Sequence, residues 1–338
     1  MTRTIEEIFR ARTDGYASEK WSSYLTLYND AFAPMRDRPV NVLEIGVQNG
    51  GSLEVWASSF PKARKIVGVD VNPKCVDLKY SDPRISIVVG DAAHPDIKAA
   101  IAAKCAEFDI IIDDGSHHSR DVIRAFAHYF PLLSDGGLYV VEDMHASYWK
   151  TFEGGLYYPY SSLAFFKRLT DLINAEHWES ELSGLEAAQQ FGAQFHCSFD
   201  GVPLENIHSI TFTNSVCIIS KRQSSFNALG VRVGSGADDG ITKIDLSAET
   251  RPIKEPDEWS TLARAEGAVV EAFASLPRLK GEIERLQAKI DSLQRQSSAF
   301  SAEIERLKQR LTALHDSTSW RITKPLRYLA SLVYRLRS

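Results

Sequence analysis

Apolar residues between positions 39 and 222 form short β-rich runs that alternate with longer helical stretches. The first five runs are nearly continuous in Val, Ile and Leu, which is typical of strands covered by helices on both faces. The last two runs lie two or three residues apart, which predicts a closing antiparallel hairpin. The runs are Val40–Val47, Lys65–Val71, Ile85–Val89, Phe108–Asp113, Gly137–Val141, His208–Thr213 and Val216–Lys221. The pattern predicts an α/β fold around a mostly parallel, doubly wound sheet of seven strands.

The segments on either side of these runs differ from them in composition and in the spacing of apolar residues. Residues 1–38 are polar and aromatic with helical spacing, which predicts an N-terminal helical cap, and residues 223–270 are a predicted surface linker. Residues 271–316 follow a heptad in which eleven of twelve a and d positions are apolar, the exception being Ser297. Such a narrow seam favours a coiled coil, whereas a helix packed along the α/β domain would need a wider apolar stripe.

Composition narrows the class of protein. The chain has 338 residues, 44% hydrophobic and 25% charged, which excludes wholesale disorder. Its net charge of −5 combines a basic end, residues 276–338 with 13 Lys/Arg and 6 Asp/Glu, with an acidic remainder of net −12. Four cysteines without a CxxC pair predict reduced thiols rather than a disulfide framework or a zinc site. The first ten residues have no signal-like apolar segment, so we expect an intracellular protein.

Polar residues stand where the first three predicted strands end. Strand one runs into Glu44 and a turn in which Gly46 allows a sharp bend and Gly50 a close approach of ligand to helix. A carboxylate such as Glu44 there repels phosphate but suits an amino acid's ammonium group. Asp70 ends strand two, where an acid accepts ribose hydroxyls, and Asp91 follows strand three, where it can meet an adenine amino group. Together the set predicts S-adenosylmethionine as cofactor.

Each of these residues also has a purely structural interpretation, which the sequence leaves open. Glu44 can be a strand-end ion-pair partner, Asp70 a helix N-cap and Gly90-Asp91 a turn. Asp113, at the end of strand four, is a further candidate for cofactor binding.

Three more acids follow strands four and five, namely Asp114, Glu142 and Asp143. Because adjacent parallel strands end at the same rim, we expect these carboxylates to converge, and they repel one another unless a cation neutralises them. All-oxygen ligation predicts a hard ion such as Mg²⁺, Mn²⁺ or Ca²⁺. His117 lies three residues after Asp114 and is the candidate general base. Helix capping by the acids and ordinary loop polarity of the histidine remain the alternatives.

Four motifs, VLEIGVQNGGSLEVW, GVDVNP, DDGSHH and GGLYVVEDMHASYW, resemble the macrocin and mycinamicin O-methyltransferase family. They also occur in rhamnosyl O-methyltransferases and cephalosporin hydroxylase-like proteins, and the resemblance covers roughly residues 12–220. It implies a Rossmann-like class I methyltransferase that uses S-adenosylmethionine and Mg²⁺ to methylate deoxysugar hydroxyls. By the resemblance Asp114, Glu142 and Asp143 hold the metal and His117 is the base. The N-terminal residues Glu19-Lys20, Tyr24 and Tyr28 look like that family's cap over the cofactor.

The C-terminal segment sets the chain apart from the macrolide enzymes and points to a different acceptor. Its SWRITKPLR sequence is similar to a motif of bacterial enzymes that build O-antigen and related surface polysaccharides. Residues 317–338 form a basic amphipathic pattern that predicts either a membrane-surface element or a cap folded onto the coiled coil or a partner.

The sequence therefore predicts a sugar O-methyltransferase of a surface glycan, glycolipid or glycosylated metabolite. We expect a cytoplasmic homo-oligomer held by the coiled coil, with a peripheral contact to the inner membrane face or a glycan-assembly enzyme. Nucleic acid is not an expected partner, because the basic residues cluster in the tail. The second hypothesis is a coiled-coil scaffold of polysaccharide assembly with weak or no methyl transfer.

Overall fold

The structure is a computed structural model that describes residues 3–178, 183–236, 240–246 and 258–335. The chain divides into two compact units, Met1–Arg264 and Ala265–Ser338. The first unit contains the sheet, and the second contains most of a long helix and two shorter helices.

A seven-stranded sheet in the order β3-β2-β1-β4-β5-β7-β6 forms the centre of the first unit. The strands are β1 (Asn41–Ile45), β2 (Lys65–Asp70), β3 (Ile85–Val89), β4 (Phe108–Asp113), β5 (Leu133–Val141), β6 (Ile207–Thr213) and β7 (Val216–Lys221). The strands β1 to β5 pair in parallel, and β7 is antiparallel to both β5 and β6. This topology confirms the predicted fold class, since the five parallel strands end at one rim.

Seven α-helices lie entirely within the first unit among the described residues. They are α1 (Ile5–Ala11), α2 (Ser22–Phe32), α3 (Gly51–Ser59), α4 (Pro95–Lys104), α5 (Ser119–Tyr129), α6 (Ser162–Leu172) and α7 (Gly184–Phe195). Local signals fix several of their starts. Thr4 and Glu7 form a capping box at α1, Ser183 and Glu186 form another at α7, and Ser161 caps α6.

An aromatic cluster fixes the N-terminal helix α2 on the body of the domain. Tyr28 stacks on Phe32 with ring centroids 5.1 Å apart and meets Trp56 of α3 edge-on at 5.4 Å. Phe32 also contacts Phe60, and all four side chains are buried. Burial of such rings contributes several kcal/mol of packing. It holds α2 where Tyr24 and Tyr28 reach the rim of the sheet.

Two boundaries differ from those that the apolar pattern predicts. Strand β5 begins at Leu133 rather than Gly137, because its backbone pairing with β4 continues through polar residues after a register shift. The long helix begins at Glu258, within the predicted linker 223–270. Residues 237–239 and 247–257 of that linker lie outside the described residues.

The second unit is built from α8 (Glu258–Asp316), α9 (Thr318–Ile322) and α10 (Lys324–Arg335). The described a and d side chains of the heptad are exposed, for example Ile283 at 63% and Leu286 at 56%. A row of uncovered apolar side chains from Leu279 to Leu314 of this helix is what a coiled-coil partner would cover. Self-association stays a prediction, and residues 336–338 of the predicted tail lie outside the described part of the chain.

No helix among the described residues is long and apolar enough to cross a bilayer.

We predict that the double replacement Leu286→Glu and Leu293→Glu abolishes self-association, because it puts two charges into adjacent d positions of the seam. The matched control is Ala288→Glu with Ser292→Glu, which adds the same charge at the outward f and c positions. Light scattering coupled to size-exclusion chromatography measures the mass. A monomeric unmodified chain, or an unchanged mass for the d-position variant, would contradict the predicted coiled coil.

Candidate functional site

A cavity of about 1010 Å³ lies at the carboxyl ends of the parallel strands. Its wall is formed by the turn after β1, the ends of β2, β4 and β5, the turn after β3, the start of α5 and an N-terminal segment, residues 17–21. The predicted site residues in the wall are Gly46, Asp70, Asp91, Asp113, Asp114, His117, Glu142 and Asp143. Glu44, Gly50 and Tyr24 are not part of it.

Two glycines shape the turn after β1. Gly46 has φ +90°, and a Cβ at this position would lie 2.0 Å from the carbonyl oxygen of Asp114. Only glycine therefore lets the β1 turn approach the β4 turn so closely. Gly50 has φ +88° at the N-terminus of α3, where a Cβ would meet the hydroxyl of Tyr80 at 2.2 Å. Gly50 thus packs against Tyr80, and its predicted contact with cofactor stays a prediction.

The Asp70 carboxylate organises the same turn. One oxygen accepts hydrogen bonds from the backbone N–H groups of Val47 and Gln48, both at 2.8 Å, and the other accepts from Asn72. The N-cap of the following 3₁₀ turn is Asn72, not Asp70. Asp70 still borders the cavity, so its predicted contact with ribose remains open.

Glu44 lies fully buried beneath the turn. Its Oε2 accepts a hydrogen bond from Ser52 at 2.6 Å, while Oε1 has no hydrogen-bond partner and lies 4.0 Å from Lys20 Nζ. Burial raises the pKa of Glu44 to about 7, against the opposing pull of Lys20. The described structure therefore gives Glu44 the ion-pair environment that was the alternative interpretation, and its contact with a cofactor ammonium stays a prediction.

The two remaining residues predicted to bind the cofactor, Asp91 and Asp113, differ in their burial and in their hydrogen-bond partners. Asp91 accepts a hydrogen bond from the N–H of Ala93 at 2.8 Å, as a turn residue does, and also borders the cavity. Asp113 is buried, with one oxygen near the N–H of Gly115 at 3.3 Å and the other without a partner. Burial raises the pKa of Asp113 to about 7.

Asp114, His117 and Asp143 form a compact group in which one ligand atom of each lies within 4.8 Å of the others. His117 Nε2 is 3.5 Å from Asp143 Oδ2 and 3.9 Å from Asp114 Oδ1. Both His117 and Asp143 have positive φ, 59° and 51°. Backbone of this kind is strained in non-glycine residues and tends to occur at functional sites. The carboxylate oxygens of Asp114 and Asp143 suit a hard divalent cation such as Mn²⁺ or Mg²⁺, and the imidazole of His117 lies beside them.

Glu142, the third predicted ligand, has different neighbours. It is buried and accepts hydrogen bonds from Lys20 at 2.7 Å and from the hydroxyl of Tyr28. Lys20 also bonds to Asp114. Burial raises the pKa of Glu142, and the ammonium of Lys20 opposes that rise. The three predicted ligands thus lie at one rim, and two of them are bridged by a lysine.

The structure also shows that the Tyr24 hydroxyl points to the group formed by Asp114, His117 and Asp143. It lies 2.7 Å from Asp143 Oδ1 and 2.7 Å from the hydroxyl of Ser215 in the β6–β7 turn. The resemblance places Lys20 in a cap over the cofactor rather than beside these acids, and no motif indicates Ser215. A need for positive charge was implied by the converging carboxylates, but no local pattern identified the lysine that supplies it.

The comparisons with known proteins agree with this architecture. Residues 25–149 match the family described as Rhamnosyl O-methyltransferase/CmcI. The chain is 41% identical over 173 residues to the 8-demethyl-8-alpha-L-rhamnosyl tetracenomycin-C 2'-O-methyltransferase of Streptomyces olivaceus, covering 48% of this chain and 45% of that protein. It is 39% identical over 166 residues to the mycinamicin VI 2''-O-methyltransferase of Micromonospora griseorubida, covering 46% and 40%.

A solved structure, the MycE methyltransferase from the mycinamycin biosynthetic pathway in complex with Mg and SAH, is similar with 28% identity and a TM-score of 0.53. The similarity covers 66% of this chain and 56% of that one. The chain spans less than half the length of the curated relatives it matches. The comparisons confirm the resemblance inferred from the four motifs.

We predict that Gly46→Ala lowers the free energy of unfolding by about 1–3 kcal/mol more than Gly201→Ala. Both glycines have positive φ, but nothing lies within 4 Å of a Cβ at Gly201. The control Gly201→Ala therefore loses only the stability that a side chain costs at positive φ, about 1 kcal/mol. Urea denaturation of the two variants measures the difference. Equal losses would show that the contact between the β1 and β4 turns does not require glycine.

We also predict that Asp113→Asn gains stability over the unmodified chain as pH rises from about 4 to 7. The pKa of Asp113 is raised from 3.8 to about 7 in the folded state, so its contribution to stability is greatest at low pH and is lost as pH rises through that window. The loss can reach about 1.4 kcal/mol per pH unit for one group. Denaturation curves at several pH values measure it. The control is Asp96→Asn, because Asp96 is exposed. The prediction would be contradicted if the free energy of unfolding changed with pH in the same way for the unmodified chain and both variants.

Proposed function

We propose that the chain, whose residues 25–149 belong to the Rhamnosyl O-methyltransferase/CmcI family, transfers the methyl group of S-adenosylmethionine to a sugar hydroxyl in a reaction that requires a divalent metal ion. The observation that carries the proposal is the grouping of Asp114, His117 and Asp143 at the rim of a cavity. The other end of that cavity presents the Gly46 turn, Asp70 and Asp91.

The relatives support the choice of substrate class. Those reported above are named as O-methyltransferases that act on a rhamnosyl tetracenomycin and on mycinamicin VI, both glycosylated molecules. The related solved structure holds Mg and SAH, the demethylated form of the proposed cofactor. We propose that this chain likewise uses a sugar-containing acceptor, a divalent metal ion and S-adenosylmethionine.

In the proposed mechanism the methyl donor and the sugar hydroxyl bind at different ends of one cavity. S-adenosylmethionine supplies an electrophilic methyl group, and we assign its ribose and adenine to Asp70 and Asp91, which line the cavity. Glu44 does not line it, so the mechanism leaves out its predicted contact with the amino acid group. The backbone around Gly46 lines the same cavity. Asp113, with its unpaired oxygen, lies between the cofactor end and the metal end.

The metal end prepares the hydroxyl group. Asp114, Glu142 and Asp143 would hold a divalent ion, which would lower the pKa of a bound sugar hydroxyl and fix its orientation. His117 Nε2 accepts the hydroxyl proton as general base. The carboxylates of Asp143 and Asp114, 3.5 and 3.9 Å away, stabilise the imidazolium that results. Positioning of the oxygen against the methyl group supplies much of the remaining acceleration.

The acceptor is proposed to be part of a surface glycan or a glycolipid precursor. Support comes from the polysaccharide-enzyme-like sequence at residues 319–327 and from α10, where Leu326 and Leu329 are exposed beside Arg327. A basic, apolar helix of this kind suits an anionic membrane surface. We propose a homo-oligomer that works at the inner membrane face.

We predict that His117→Ala lowers methyl transfer at least about 100-fold while the metal dissociation constant changes little, because a general base contributes about 10²–10⁴ to the rate. The neighbouring His118→Ala is the control, since His118 packs on Phe152 outside the acidic group. Isothermal titration with Mn²⁺ and a labelled-methyl assay measure the two quantities. A metal affinity weakened tenfold or more in His117→Ala would make His117 a ligand instead.

The decisive experiment identifies the acceptor. Labelled S-adenosylmethionine is incubated with the chain and glycan extracts of the source cell, with and without a chelator, and the labelled sugar is analysed by mass spectrometry. We expect label on a sugar hydroxyl that the chelator prevents. No transfer, together with no calorimetric response to S-adenosylmethionine and Mg²⁺, would favour the scaffold hypothesis.

A further inference from the structure

One lysine lies at the point where the strand-end carboxylates meet. Lys20 belongs to the segment between α1 and α2, and its side chain is only 4% exposed. Its ammonium bonds to Asp114 after β4 and, at 2.7 Å, to Glu142 after β5. Glu44 of β1 lies 4.0 Å away. Three strands therefore direct a carboxyl group at the same ammonium.

The ammonium is strongly held there by charge. Burial by itself would lower the pKa of Lys20, but the negative charges of Glu142, Asp114 and Glu44 outweigh that effect and raise it well above its usual value. Among the ion pairs of the described residues, Lys20 is the lysine or arginine that reaches this group of acids. Without it, buried carboxylates would face one another uncompensated, which is costly.

Lys20 is carried by a short segment that is fixed at both ends. We call residues 17–21 the strap. On one side Arg12 bonds to Glu54 and to the carbonyl oxygens of Gly51 and Tyr16. On the other side α2 begins at Ser22.

The contacts of the strap lie at the proposed metal end. Trp21 donates from Nε1 to Asp143 Oδ1 at 3.2 Å, as Lys20 donates to Asp114 and Glu142. The strap also forms part of the cavity wall. All three acids predicted to bind the metal are therefore contacted by two adjacent residues of one segment.

We propose that Lys20 is an internal counter-cation that competes with the divalent metal for Asp114 and Glu142, so that metal binding releases Lys20 and shifts the strap. The proposal rests on the metal requirement in the proposed function. An ammonium and a metal ion cannot both contact the same pair of oxygens, and two cations this close repel strongly in a buried site. The coupling is reciprocal: the strap weakens metal binding, and metal weakens the hold on the strap.

The competition predicts that Lys20→Met binds Mn²⁺ at least about tenfold more tightly than the unmodified chain. The same variant without metal should unfold at a lower temperature, because its carboxylates have lost their counter-ion, and added Mn²⁺ should restore more stability to it than to the unmodified chain. Isothermal titration and thermal denaturation, both without S-adenosylmethionine, measure these effects.

The chain offers a matched control. Lys221 is also a buried lysine, but its ammonium bonds to the carbonyl oxygens of Phe130, Pro131 and Leu133 rather than to acids. Lys221→Met should therefore lose stability without a change in metal affinity. Unchanged or weaker Mn²⁺ binding by Lys20→Met, with normal binding by the unmodified chain, overturns the competition and leaves the metal requirement standing.

A second measurement uses the unmodified chain and does not depend on the folding of a variant. Brief acetylation with an amine-reactive ester, mapped by mass spectrometry, should modify Lys20 slowly in the metal-free protein and several-fold faster with saturating Mn²⁺. Exposed Lys62 should react quickly in both samples and buried Lys221 slowly in both. An equal rate of Lys20 acetylation with and without Mn²⁺ would overturn the proposed release of the strap. Absence of any Mn²⁺ binding would instead contradict both the metal requirement and the competition.

Discussion

Negative charge gathered at one rim is the constraint on which the rest of this molecule depends. Parallel strands end on the same side, so acids at the ends of β1, β4 and β5 lie close together, and Glu44, Asp113 and Glu142 are buried there. Carboxylates in such a place must be protonated, paired or bound to a cation. The structure provides for all three. The pKa values of Glu44 and Asp113 are raised, the ammonium of Lys20 pairs with Glu142, and Asp114 and Asp143 lie beside His117 where a cation can bind.

Much of this could be predicted from the sequence because strands and their ends have local signals. The continuous apolar runs specify strands covered on both faces, and an acid or glycine directly after a run must lie at the rim. Eight of the predicted site residues accordingly border one cavity. Their individual roles toward cofactor and metal remain predictions.

The rest could not be predicted, since it depends on side chains that meet across long stretches of chain. Lys20 and Glu142 are 122 positions apart, and nothing near either residue indicates the partner. The aromatic cluster of α2 likewise directs Tyr24 to Asp143 and Ser215 rather than to the cofactor end. The predicted linker ends too late for another reason: the Gly, Asp and Pro residues that indicate it lie mostly before position 258, and the helix already begins at Glu258.

The placing of β7 between β5 and β6 has a consequence for how the protein is made. Chains emerge from the ribosome N-terminus first, so the strap appears early, and its partner at Glu142 follows more than a hundred residues later. Strand β7 is the last strand to emerge, yet it pairs directly with β5, and the turn before it carries the Ser215 contact to Tyr24. The sheet cannot close until residue 221 is free. The long helix follows residue 221 in the chain, so any assembly of subunits through it begins only after the sheet of each chain can already be complete.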